Sequence, residues 1–152
     1  MKPRAEVVAE ARTWLGTPWQ HQAHARGLGC DCAGLIRGVL IGCGLMPPQP
    51  EQWPGAAPYI GYRREPDGDS LVRACAAFLP GIAPDAAQAA DVVVMRFRHL
   101  PQHLGILVPY LHGGLALLHA TNRPGVNRVV EHRLDARWRS LVTHAFAMPG
   151  VG

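Results

Sequence analysis

The sequence predicts an α+β domain in which N-terminal helices pack on a mostly antiparallel sheet of five to six strands. Apolar residues recur at helical spacing through the first half of the chain, while β-rich runs separated by turns fill the second half. The change of pattern falls near Pro84, with no internal repeat on either side. At 152 residues, 48% apolar and 17% charged, the chain makes a single domain, 1–152, able to bury a core without disulfide or metal staples.

The first helix covers about residues 3–15. Val7, Val8, Ala11, Trp14 and Leu15 supply its apolar side, and Gly16 ends it. Glu6, Glu10 and Arg12 interrupt any signal-peptide core, and no 18-residue apolar run exists. The expectation is a chain made in the cytoplasm without a signal peptide or membrane insertion. After a polar loop, 20–29, a second helix starts at Cys32 behind Asp31, an N-cap suited to the backbone N–H of Ala33 or Gly34. The run 32–43 carries one charge, Arg37, so the helix is enclosed, and it ends near Gly42–Gly44 before Pro47 and Pro48. Gly34, Gly38 and Gly42 line one face, each costing about 0.5–1 kcal/mol against alanine. That face is expected to press onto the sheet. Residues 46–68 hold six prolines with Trp53, Tyr59 and Tyr62 and predict a long ordered loop, a candidate docking surface. A third helix spans Asp69 to Leu79. Strands follow at Asp91–Phe97, His103–Tyr110, Leu115–Ala120, Arg128–Arg133 and Leu141–Met148.

Chemistry concentrates at Cys32. A thiol in the first turn of a helix meets unpaired N–H groups and the positive end of the dipole, which are expected to lower its pKa. The four cysteines of a cytoplasmic chain are expected to be free. Among eight histidines, His103 and His119 have the same parity about the turn at His112-Gly113-Gly114. They should share one sheet face, about 5–8 Å apart between Cβ atoms. One can act as base to a thiol while the other orients it. His99, His112, His132 and His144 read as surface or loop residues. Cys30, Cys32 and Cys43 with His21 and His24 lack the ligand spacing of a zinc site, and Ser70 and Ser140 lack a nucleophile-elbow context. No metal or cofactor is required. The net charge of +4 comes mostly from scattered arginines, which argues against a nucleic-acid platform.

Trp14-Leu15-Gly16-Thr17-Pro18-Trp19, then Cys30-Asp31-Cys32-Ala33-Gly34-Leu35, His103-Leu104-Gly105-Ile106-Leu107 and His119-Ala120 resemble, in order, the motifs of NlpC-type cell-wall cysteine peptidases of papain-like fold. The segment Gly16 to Gln22 and Cys30-Asp31-Cys32, with Val129-Val130-Glu131, Trp138-Arg139 and Phe146, are most similar to the branch associated with phage tails and gene transfer agents. The resemblance implies a nucleophile at Cys32, a general base at His103 and an orienting residue at His119, with Trp19, Asp31 and His21 on the substrate side. It implies hydrolysis of an amide bond in peptidoglycan stem peptides, between γ-D-glutamate and diaminopimelate, by a protein carried on a tail particle with hub or tip proteins as partners. An N-acetylmuramoyl-L-alanine amidase and a catalytically silent tail component are the alternatives. Ala33 stands where the family commonly has serine and Trp19 where it commonly has tyrosine.

Overall fold

The computed structural model describes residues 1–47, 69–97 and 99–152. Helix α1 (Arg4–Arg12) is followed by a small hairpin, β1 (His24–Ala25) and β2 (Gly29–Cys30), and by α2 (Cys32–Gly42) and α3 (Ser70–Ala76). Strands β3 (Gly81–Ile82), β4 (Val92–Phe97), β5 (Leu100–Pro109), β6 (Leu115–Thr121) and β7 (Arg128–Arg133) come next. A one-turn helix α4 (Ala136–Arg139) precedes β8 (Val142–Phe146). Strands β3 to β8 form one antiparallel sheet in the order β3-β8-β4-β5-β6-β7, so the expected α+β class holds. Trp53, Tyr59 and Tyr62 lie outside the described residues. Among those described, no helix is long and apolar enough to cross a membrane.

The sheet buries both faces. On one, Leu35, Ile36, Val39 and Leu40 of α2 join Val92, Val94, Leu104, Ile106 and Leu118 in the main core. The other face carries Val93, Met95, Leu107 and Leu117 under Leu134, Trp138 and Leu141 from the β7–β8 connection. Parity along β5 and β6 therefore decides which side of the molecule a residue serves.

The glycine face of α2 turns away from the sheet, contrary to expectation. A Cβ on Gly34 would strike the carbonyl of Ala23, one on Gly38 the ring of Trp14, and one on Gly42 the carboxylate of Glu10. The close approach is to α1 and the loop before β1. The larger apolar residues on the other side of α2 were needed for the sheet, leaving the small ones for the tighter crossing.

Candidate active site

Asp31 sets the geometry at the start of α2. Its Oδ1 accepts the N–H of Gly34 at 2.7 Å, the expected cap. Oδ2 accepts the N–H of Gln22 at 2.7 Å, pinning the preceding loop where Gln22 adopts a left-handed φ of 58°. Asp31 is buried, and both its oxygens hold the chain together. It supports the turn that precedes Cys32. Trp19 runs alongside in a parallel bridge to Cys30, and Cys30 N–H donates to the Pro18 carbonyl at 2.9 Å. His21, partly exposed, lies 3.9 Å from Asp31 Oδ2 through Nδ1. Trp19 and His21 thus flank the turn that ends at Cys32.

The sulfur of Cys32 reaches β5. Leu107 N–H and C=O bond toward β4, so alternation turns the N–H of Leu104 toward β6. The β5–β6 ladder ends at Ile106 and Leu118, and the backbone N–H of Leu104 is among the groups that favour the thiolate of Cys32. The N–H groups of Ala33 and of Cys32 itself also face the sulfur.

Burial overrides the helix dipole at this thiol. Desolvation, reinforced by the Asp31 carboxylate, pushes Cys32 up to about 12, against the weaker pull of the three N–H groups. The expectation of a lowered thiol pKa is thus overturned, because dense packing around the sulfur strips the water that would solvate a thiolate. Cys32 is nonetheless the one cysteine of the four that keeps partial solvent contact. Under native conditions at about pH 8 iodoacetamide should label Cys32 ahead of Cys30, Cys43 and Cys75, with a rate that climbs as pH rises. Equal labelling of the four, separated by peptide mapping, contradicts that assignment.

His103 and His119 meet as diagonal neighbours on the face away from α2, sharing it with Leu107 and Leu117. His103 Nε2 and His119 Nδ1 are 2.7 Å apart. Gly105 permits this, since a Cβ there would strike the Leu117 side chain and press on His119 Cβ at 3.4 Å. Phe97 stacks on His103 at 5.0 Å between ring centroids, and Trp138 covers His119 edge-on at 5.2 Å. Asp135, the N-cap of α4, accepts the backbone N–H of Trp138 at 3.0 Å. Burial first, then proximity to the His132 imidazole, pushes His103 down to about 4. Burial, with His103 and His132, pushes His119 down to about 2. Both imidazoles are neutral at pH 7, as a proton acceptor must be.

His132, expected to be a surface residue, belongs to this group. Its Nε2 lies 2.8 Å from His119 Nε2, and its Nδ1 3.0 Å from the Arg133 carbonyl. Pairing of Leu117 with His132 and of His119 with Val130 puts His132 on the same face as His119. The signal in the sequence was parity across the turn at Pro124-Gly125, readable only once the register of β7 is known. His99, His112 and His144 are exposed, as expected. The three buried-side imidazoles point nitrogens at one another in file and do not converge on a common point. Among the described residues no group of three His, Cys, Asp or Glu side chains is placed to hold a metal. Cys43 caps the far end of α2, roughly 16 Å from Cys32 at 1.5 Å per residue.

No family model matches the sequence, and no curated protein matches it. Solved structures do match by fold. The NlpC/p60 domain of the peptidoglycan hydrolase SagA superposes with a TM-score of 0.59 at 22% identity, covering 95% of this chain and 98% of that one. A protein from Staphylococcus aureus described as similar to a lipoprotein of the NLP/P60 family has a TM-score of 0.59 at 18% identity. The match covers 95% of this chain but 41% of that one. Ly7917 with the hydrolyzing product of MDP has a TM-score of 0.58 at 17% identity, over 97% of this chain and 63% of that one. At such identities the likeness is one of architecture, and it establishes that this chain has the fold of NlpC/p60 domains.

Proposed function

We propose that this domain is a peptidoglycan hydrolase that cuts an amide bond in stem peptides with Cys32 as nucleophile, His103 as general base and His119 as its orienting partner. What supports the proposal is the placement of Cys32 in the first turn of α2, its thiol favoured toward the thiolate by the backbone N–H of Leu104, the residue next in β5 to a buried His103 whose Nε2 lies 2.7 Å from His119 Nδ1. The solved structures similar in fold include a peptidoglycan hydrolase and a complex with a hydrolysis product.

Thiol and imidazole are both neutral at rest, so the mechanism begins with general-base catalysis and no stored ion pair. With His103 Nε2 turned to His119, Nδ1 is the nitrogen left to take the thiol proton. Sulfur attacks the amide carbonyl as that proton leaves, and the resulting oxyanion is served by backbone N–H groups at the start of α2. The proton returns to the departing amine, leaving a thioester on Cys32. Water, deprotonated by His103, then releases the acid. Trp19 and His21 flank the nucleophile and are placed to bound the substrate.

The scissile bond in this reading is the γ-D-glutamyl–diaminopimelate link, with an N-acetylmuramoyl-L-alanine amidase as the alternative. Digestion of purified sacculi followed by mass analysis tests both. Free diaminopimelate amino termini support the first, and stem peptides released whole from the glycan support the second. A silent structural role is the other alternative, left open by Trp19 in place of the family's common tyrosine and opposed by the retained Cys32, His103 and His119, and absence of any digestion supports it. Carriage on a phage-like tail, with hub or tip proteins as partners, rests on the resemblance of residues 16–22, 30–32 and 129–146 to that branch. Its test is co-purification with such particles at low copy number.

A further inference from the structure

We propose that His132 is a positioning residue that selects, through His119, the tautomer in which His103 keeps a lone pair on Nδ1. The proposal rests on the catalytic reading above and adds a residue to it from the third strand of the site.

The Arg133 carbonyl can only accept, so His132 Nδ1, 3.0 Å away, carries a proton and donates it. In a neutral ring this leaves the lone pair on Nε2. His119 Nε2, 2.8 Å from that lone pair, must then be protonated and donate to it. The remaining nitrogen of His119, Nδ1, is the acceptor, and His103 Nε2 at 2.7 Å donates to it. His103 Nδ1 is left unprotonated. A carbonyl at the end of β7 thus fixes the base three rings away, and each hydrogen bond transmits the choice.

Without an acceptor at position 132 the direction is no longer set. His119 could carry its proton on Nδ1 and donate to His103 Nε2, which puts the His103 proton on Nδ1. That tautomer cannot take the thiol proton. Trp138 holds the arrangement by packing on both His119, at 5.2 Å, and His132, at 4.7 Å between centroids. His132 therefore also has a packing contact, and a useful test must separate the two roles.

Two variants do so. His132→Gln keeps an acceptor oxygen for His119 Nε2–H but loses the aromatic contact with Trp138. His132→Phe keeps the aromatic contact but has no acceptor. The full chain, labelled with ¹⁵N-histidine, is examined by NMR at about pH 8 without substrate, where the ring nitrogen shifts report the tautomer directly. Wild type and His132→Gln should show His103 protonated on Nε2, and His132→Phe a mixture of tautomers. In wall digestion, kcat of the Phe variant should fall about 10- to 100-fold at unchanged KM, with the Gln variant largely restored. His103 protonated on Nδ1 in the wild type, or on Nε2 alone in the Phe variant, overturns the proposal. The wild-type spectrum needs no variant, so a Phe variant that fails to fold does not shield it. Expected tautomers in a protein that digests no wall would fault the functional reading and leave the role of His132 standing.

Discussion

His103→Ala should lower turnover on cell-wall substrate about 10³- to 10⁴-fold or more, nearly as far as Cys32→Ala, and the double variant should be little worse than either. Groups that act as one unit do not contribute additively, because the thiol needs the base and the base has no other task. At a thiol pushed up to about 12 this dependence is especially strong, since almost no thiolate forms unaided at pH 7. His119→Asn should retain part of the activity, because an amide oxygen can still accept the His103 Nε2–H. Steady-state rates for the four variants check the order. A His103→Ala variant near wild type would move the base elsewhere, with His21 and His24 next to be tested.

Acidification should destabilise the fold through the same imidazoles. Folded His103 and His119 have pKa values pushed down to about 4 and about 2, below the ordinary histidine value of 6.5. Below pH 6.5 the unfolded chain therefore binds more protons than the folded one, and stability falls as pH falls. The His103 contribution is intact above about 6.5 and is spent by about 4, while that of His119 continues to decline below. The combined loss between pH 7 and pH 4.5 is on the order of a few kcal/mol, or about 10 °C in Tm. Thermal melts across that range check the slope. His119→Asn removes one titrating group and should flatten it, and an unchanged slope in that variant would place the acid sensitivity elsewhere.

Much of this architecture is legible in the residues. Asp31 before an apolar run marks the start of α2, and the cap bond to Gly34 forms as its spacing requires. The Gly113-Gly114 turn aligns His103 and His119 because parity about a short hairpin survives small errors in strand ends. His132 escaped because six residues, 122–127, separate β6 from β7, and nothing in them fixes a register by rule. The thiol pKa escaped for a different reason. A helix N-terminus is local and visible in sequence, whereas desolvation depends on how closely β5 and α2 approach around the sulfur. The glycine stripe likewise specified a close approach without specifying the partner, which proved to be Trp14, Glu10 and the Ala23 carbonyl.

The most direct test of Cys32 as a covalent nucleophile is acid-quench mass spectrometry of the intact protein mixed with a soluble peptidoglycan stem peptide. During turnover the protein should gain the mass of the acyl fragment, mapped to the peptide containing Cys32, labile to hydroxylamine as a thioester is, and absent from Cys32→Ala. Hydrolysis of the peptide with no adduct on Cys32, and undiminished in Cys32→Ala, would contradict the thiol mechanism.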